Sequence, residues 1–343
     1  MIRPFEIRVE LFYNSLVETM IIGDIRMKLL VTAGSWPEEL LADVKKEFPS
    51  VQFTTITDRR DVLREIVDAE IVFGGISREE FLAAEKLKWI QHQGAGVERI
   101  AAISEITDSD VIMTNTRGAH AATIAEHTFG MLISLTRHFP RLFQAQQEHE
   151  WLPRFDSHPV GLSNLTLGMI GLGNIGRAIA KRGKAFDMKV IAVDTHKIPQ
   201  PDFVTELSLS DGLPELLRRA DVVVVTTPFT PQTAGMLKAQ QLAQMKPTAY
   251  LLVVSRGGIV DEDALIEMLN EGRLAGAGLD VTATEPLSKE SPLWKTPHLL
   301  LTPHCSGRSR FTHVMATNIF RENLQHYLDG EPLTNLVDMK RGY

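Results

Sequence analysis

Short apolar runs alternate with polar stretches of helical character along almost the whole chain. Residues 28–32, 51–56, 70–74, 88–93 and 111–115 each read as a strand, separated by segments long enough to hold a helix. Parallel neighbours need such crossovers, whereas antiparallel ones can be joined by a tight turn, so the rhythm predicts a small parallel α/β unit opening at Met27. A longer helical stretch follows at 121–148, apolar at Ile124, Phe129, Met131, Leu132, Leu135, Phe139 and Leu142. It is too long for one crossover, and so much apolar helix at a domain junction calls for a partner surface, which predicts a homodimer.

Strand signals resume at 167–171, 189–194, 221–227, 249–255, 275–281 and 298–303, again with helices between them. Six such strands match a complete dinucleotide-binding domain. The runs Val222-Val223-Val224-Val225 and Leu299-Leu300-Leu301 are apolar throughout instead of alternating, as strands covered on both faces should be. A final helix over 309–329 spaces Phe311, Val314, Met315, Ile319, Leu324 and Leu328 at helical intervals and stops at Gly330. That stripe needs cover. If it packs back on the first unit, the first domain is discontinuous, the second is an insertion, and the hinge falls near residues 120 and 307.

At 343 residues the chain is long enough for two cores, and 44% hydrophobic content suits that. A net charge of −7, with 23% charged residues mixed in sign, argues against nucleic acid or an anionic membrane as the main partner. The single cysteine, Cys305, excludes an intrachain disulfide and a multi-cysteine metal site. This suits a reducing, cytoplasmic location. No apolar run approaches the roughly 18 residues of a spanning helix. Residues 1–26 lack a signal-peptide core and read as an N-terminal extension or an upstream start.

The most specific chemistry lies where the strand at 167–171 runs into Gly171-Leu172-Gly173-Asn174-Ile175-Gly176 and then a helix. Gly171 permits the tight turn, Gly173 lets backbone approach a pyrophosphate, and Gly176 lets helix pack on strand. Asp194, closing the next strand, stands where a carboxylate can accept from a ribose 2′-hydroxyl. Its charge favours NAD; His196 and Lys197 beside it keep NADP open. Arg256, Glu285 and His304 fall at or just after the carboxyl ends of the last three strands, the edge at which an open parallel sheet binds ligands.

These types suit reduction of a small 2-oxo acid. Arg256 can fork two N–H donors onto a carboxylate and polarise the carbonyl beside it. His304 can give the proton. Glu285 would orient the ring and favour its charged form. Singly, each has an ordinary reading: a salt-bridge arginine, a surface turn at Glu285-Pro286, a loop-capping histidine. Together, beside a dinucleotide turn, they form a constellation. His120, His127, His138, His149 and His158 have no paired cysteine or carboxylate pattern in the sequence and read as structural or interface residues, with no metal expected. Cys305 reads as a small buried side chain.

Residues 255–262 (Ser-Arg-Gly-Gly-Ile-Val-Asp-Glu), Leu279-Asp280-Val281 leading to Glu285-Pro286-Leu287, and Leu301-Thr302-Pro303-His304 resemble the signatures of the D-isomer-specific 2-hydroxyacid dehydrogenases. The segment 94–98 is similar to that family's substrate loop, 115–118 to its first crossover, and Thr227-Pro228 with Thr233 to its cofactor-side loop. The resemblance runs from about Met27 to the C-terminus. It implies catalysis by Arg256, Glu285 and His304. It also implies pyrophosphate contacts at Asn174 and Ile175, and ribose recognition at Asp194. The rest of the cofactor would meet Thr227, Pro228, Val254, Ser255, Arg256, Asp280 and His304. The substrate carboxylate would be held by backbone around Ala95 and Gly96, with Arg256 and His304.

The expected fold is α/β, with two doubly wound parallel-sheet domains. Residues 121–307 form a Rossmann cofactor domain with dimerisation helices, inserted into a flavodoxin-like substrate domain at 27–120 and 308–343. The expected substrates are glyoxylate or hydroxypyruvate. The alternatives are a phosphoglycerate- or phosphite-dehydrogenase type of member, or a non-catalytic NAD-sensing scaffold like the corepressors of this fold. Two departures from the family pattern are Val253, where asparagine is common, and Cys305-Ser306 after the histidine, where small or aliphatic residues are usual.

Overall fold

In a computed structural model, which describes residues 27–339 except 33, 35 and 153–157, the five early apolar runs pair as one parallel sheet. The expected extension at 1–26 lies outside the described residues. The strands are β1 (Met27–Val31), β2 (Val51–Thr55), β3 (Ile71–Phe73), β4 (Trp89–Gln91) and β5 (Ile112–Thr114), in the order β2-β1-β3-β4-β5. That is the flavodoxin-like order.

Alternate residues of the strands feed two cores. Leu29, Val31, Ile71, Phe73 and Trp89 face one layer, and Leu30, Val72, Ile90 and Met113 the other. A side-chain period of two turns continuous apolar sequence into burial on both faces. Helix α1 (Glu38–Glu47) joins the first layer through Leu41 and Val44. Its early Glu38 and Glu39 and late Lys45 and Lys46 complement the helix dipole.

The second sheet has seven strands, all parallel: β6 (Thr166–Ile170), β7 (Lys189–Asp194), β8 (Glu206–Leu209), β9 (Val222–Val225), β10 (Tyr250–Val253), β11 (Gly276–Leu279) and β12 (Leu299–Leu301). Their order is β12-β11-β10-β9-β6-β7-β8. Six of these are the strands expected from sequence. The seventh, β8, pairs only with β7, and as a half-polar edge strand, Glu-Leu-Ser-Leu, it gives no continuous apolar signal. Strand order reverses about β6, so the ligand crevice of such a sheet lies beyond the carboxyl ends of β6 and β9.

The helical stretch at 121–148 is two helices, α2 (Ala121–Thr136) and α3 (Phe139–Gln147). The break is chemical: His138 is left-handed at φ 56° and Pro140 enters the first turn of α3, lacking the N–H that a continuous helix would need. Helices α4 (Asn174–Ala185) and α5 (Glu262–Asn270) cover the sheet, and α6 (Arg310–Asp329) ends at Gly330 with φ 72°.

The chain divides into two units, one running through Asn115 and resuming at Phe320, the other spanning Thr116–Ile319. These divisions differ from the 120/121 and 307/308 read from the sequence, and the second falls inside α6. The reason is local. At the start of α6 the hydroxyls of Ser309 and Thr312 lie 2.9 and 3.1 Å from that of Thr123 on α2. Later in α6, Phe320 and Leu324 are fully buried, and the Phe320 ring stacks on Phe73 with centroids 4.2 Å apart. Replacing Phe320 by alanine should therefore destabilise the first unit by about 3–5 kcal/mol. Urea unfolding followed by the fluorescence of Trp89, whose ring is 6.2 Å from Phe320, measures this. A loss below about 1 kcal/mol would remove Phe320 from that core.

Candidate active site

β6 runs into the glycine turn, and the geometry gives each glycine a separate task. Gly171 has φ 90°, and a Cβ there would press on the Thr227 methyl at 3.0 Å. A Cβ at Gly176 would lie 2.3 Å from the Gly171 carbonyl oxygen, so only glycine lets α4 close on the turn. A Cβ at Gly173 would meet nothing within 4 Å, so this side of the turn is open. The first intrahelical bond of α4 is from Arg177 N to Gly173 O, and no side chain caps the helix. The N–H groups of Asn174, Ile175 and Gly176 thus form an uncapped positive helix end facing an open turn.

The Asp194 carboxylate, at the end of β7, is locked to that turn. One oxygen accepts from Leu172 N at 2.8 Å and the other from His196 N at 3.0 Å. At the ends of β9 and β10, the hydroxyl oxygens of Thr227 and Ser255 are buried without a hydrogen-bond partner among the described residues. Buried hydroxyls are ordinarily bonded, so these two await a polar ligand. Pro228 leads the next turn, its carbonyl accepting from the Thr233 hydroxyl at 2.7 Å. Val254 is buried at the same edge. An open turn, an uncapped helix end and two orphaned hydroxyls fit a dinucleotide. Val253, the departure from the family pattern, is enclosed in the core.

On the same sheet edge, His304 Nδ1 is 2.7 Å from Glu285 Oε2. The other Glu285 oxygen accepts from Thr282 N at 3.1 Å, so each oxygen is committed and the carboxylate is fixed. Both side chains remain solvent-accessible, at 46% and 38%. His304 is left-handed, φ 48°, which is uncommon for a residue with a side chain; its N–H donates to Asp280 O at 2.7 Å. Arg256 Nη1 donates to Ser255 O at 2.7 Å. A Cβ on the next residue, Gly257, would lie 2.0 Å from Thr282 O, so backbone after Arg256 rests directly on the turn that fixes Glu285.

Several supporting residues have no signal in the sequence beyond their place in the motif. Glu262 accepts from Ala283 N at 2.5 Å and so holds the same turn. Its carboxyl titrates above its ordinary range, chiefly because it is buried, with nearby Asp263, Asp261 and Glu285 adding repulsion. Thr226 donates to Gly171 O at 2.9 Å and seals the glycine turn. Asp280, expected at the cofactor, carries a carboxylate that is fully enclosed. It accepts from Thr302 Oγ1 at 2.6 Å, Cys305 N at 3.0 Å and Ser306 N at 3.1 Å.

His127, read from the sequence as structural, gains partners that the sequence did not show. The fold brings it together with Asp280 and Cys305, their ligand atoms within 4.8 Å of one another. The Thr302 hydroxyl, however, bonds to all three, which makes the cluster a hydrogen-bond hub. Burial, then the Asp280 charge, pushes the Cys305 thiol up, so it stays protonated and unreactive.

In the first unit, the loop carrying Ala95 and Gly96 follows β4. Asn115 Nδ2 donates to Ala95 O at 2.8 Å, and the half-buried His92 ring lies beside Gly94, where a Cβ would be 3.2 Å from Nε2. Burial holds the His92 imidazole below its ordinary range.

Sheet order and turn geometry define a dinucleotide-binding domain of Rossmann type. Residues 129–306, just over half the chain, match the family model for the NAD binding domain of D-isomer specific 2-hydroxyacid dehydrogenases. The chain belongs to that family. It is 35% identical over 271 residues to a glyoxylate reductase of Korarchaeum cryptofilum, covering 77% of this chain and 80% of that one. It is 33% identical over 318 residues to a D-3-phosphoglycerate dehydrogenase of Methanocaldococcus jannaschii, covering 91% of this chain but only 60% of the relative. The chain thus spans about three fifths of that longer relative. A crystal structure of a family member from Aeromonas salmonicida superposes with a TM-score of 0.80 at 30% identity, covering 92% and 99% of the two chains.

The Glu262 carboxyl yields a pH-dependent test. A folded-state value raised above the unfolded one contributes stability only at low pH, and that contribution disappears as pH rises through the folded value. Glu262→Gln keeps the acceptor for Ala283 N without the charge. It should raise the melting temperature at neutral pH and give no advantage below about pH 4, where the wild-type acid is neutral in both states. A variant less stable than wild type at neutral pH would reverse the sign assigned to that carboxyl.

Proposed function

We propose that the protein transfers a hydride between NAD(H) and a small 2-oxo acid, giving a D-2-hydroxy acid, with glyoxylate or hydroxypyruvate as substrate. The observation that carries this reading is the 2.7 Å contact of His304 Nδ1 with Glu285 at the edge where the glycine turn opens. A nicotinamide cofactor held at that turn supplies or accepts the hydride. The chain's own residues do the remainder. With Nδ1–H engaged by Glu285, Nε2 of His304 is the nitrogen that gives the proton to the developing alkoxide, or takes it in the reverse direction. Glu285 fixes the ring through its contact with Nδ1. Arg256 anchors the substrate carboxylate with its planar fork of donors and polarises the carbonyl.

For the cofactor, Asn174 and Ile175 offer backbone N–H groups to the pyrophosphate, and Thr227 and Ser255 their unpartnered hydroxyls. Asp194 takes the ribose hydroxyls and disfavours the added phosphate of NADP. The glyoxylate reductase relative supports a small acid as substrate. The phosphoglycerate dehydrogenase relative favours a second reading, D-3-phosphoglycerate oxidation. Assembly as a homodimer through α2 and α3 belongs to the same proposal, because Phe143 on α3 and Trp151 beyond it are 60% and 93% exposed. Among the described residues, no helix is long and apolar enough to cross a membrane.

A panel of 2-oxo acids with NADH and NADPH, run beside D-3-phosphoglycerate with NAD, tests the substrate class. Turnover of glyoxylate or hydroxypyruvate is expected, and cofactor binding with no turnover of any acid would sink the assignment in favour of a sensing scaffold. In that assay His304→Ala should lower kcat by roughly 10²- to 10⁴-fold with cofactor affinity almost intact. Asp194→Ala should weaken NADH more than NADPH in equilibrium binding. Equal losses would mean that the carboxylate serves only to brace Leu172.

A further inference from the structure

The acid–base imidazole sits on a loop held from beneath by Asp280, and Asp280 is held in turn by Thr302 and His127, which the proposed reaction does not use. His304 is one of the few side-chain-bearing residues with a left-handed backbone, φ 48°, a conformation that persists only when its surroundings impose it. What imposes it is Asp280. Its carbonyl takes the His304 N–H at 2.7 Å, and its carboxylate takes the N–H groups of Cys305 and Ser306 at 3.0 and 3.1 Å. One aspartate at the end of β11 thereby ties three consecutive residues of the loop. A carboxylate enclosed so completely must itself be held by donors, and the remaining donor is the Thr302 hydroxyl at 2.6 Å. Thr302 has a single proton, and it points to the charged acceptor. His127 Nε2, 3.0 Å from the same oxygen, therefore donates to it.

We propose that Thr302 and His127 are positioning residues for His304, joined in the chain His127 Nε2–H to Thr302 Oγ1–H to Asp280 carboxylate. The inference rests on His304 being the acid–base of the proposed reaction. α2 supplies His127, β12 leads into Thr302 and β11 into Asp280, so three elements converge to aim one ring. The direction of donation fixes the His127 tautomer and the rotamer of the hydroxyl, and both together hold the carboxylate under the loop. Charge-assisted bonds of this kind orient more than they stabilise, because the geometry on offer is narrow.

The experiment compares Thr302→Val, Thr302→Ser, His127→Leu, His127→Gln and the double Thr302→Val/His127→Leu in the full chain. The readouts are steady-state kinetics with NADH and the acid that wild type reduces, NADH binding by fluorescence, and hydrogen exchange at the Cys305 and Ser306 amides. Thr302→Val and His127→Leu should lower kcat roughly 10- to 100-fold, the effect of a misplaced catalytic group. Their NADH dissociation constants should move less than about threefold. Serine keeps the hydroxyl and glutamine keeps a donor, so those two variants should retain most of the activity. The double variant should be no slower than the worse single, since both act through one chain. Exchange at Cys305 and Ser306 should accelerate in Thr302→Val.

Unchanged kcat in Thr302→Val, a serine variant as slow as valine, or additive losses in the double would each overturn the proposal. If wild type reduces no 2-oxo acid, the functional reading fails. The positioning role is then decided by exchange alone, and unaltered protection of the Cys305 and Ser306 amides in Thr302→Val overturns it.

Discussion

A parallel sheet covered on both faces can present chemistry only at its ends, and the second unit follows from that constraint. The four valines of β9 are fully buried and leave no room for a polar group along the strand. Function is consequently displaced to the turns beyond the carboxyl ends, where Gly171, Thr227, Ser255, Glu285 and His304 collect although they are scattered in sequence. The sheet contributes no catalytic side chain of its own. It fixes where the turns begin and in which direction they leave.

The turns are rigid because backbone packs on backbone. Gly176 rests on the Gly171 carbonyl and Gly257 on the Thr282 carbonyl, each at a distance that any Cβ would violate. Side chains then complete what backbone contact starts. Asp194 braces Leu172, Glu262 braces Ala283, and Asp280 braces Cys305 and Ser306. In all three cases a carboxylate accepts from loop N–H groups that no strand or helix would satisfy. Acidic residues are thus loop fasteners of this unit, while Glu285 also spends an oxygen on the His304 ring.

Legibility varied with how local the determinant was. The parallel strands were readable because apolar runs of the right length, separated by crossover-length segments, have few other solutions. β8 was not, since this half-polar edge strand has no buried residue and so no continuous apolar signal. The helical region 121–148 was readable as helical, but not where it divides, because the left-handed His138 and the missing N–H of Pro140 break it within an unbroken apolar stripe. His127 illustrates the opposite case. Nothing near it in sequence offers a carboxylate or a thiol, yet three-dimensional folding places Asp280 and Cys305 beside it.

The sequence by itself determined the class of fold and the dinucleotide turn, and it marked His304, Arg256 and Glu285 as the side chains at the active edge of the sheet. Those features depend on residue type, on spacing within one strand–turn–helix unit, and on the rule that parallel strands share an active edge. The tertiary structure alone decided which oxygen of Glu285 meets His304, that Asp280 is sealed beneath the loop, and that Thr302 fills the space between His127 and Asp280. Such contacts join residues from different strands and helices, and their partners are chosen by how the layers pack, which no local pattern encodes.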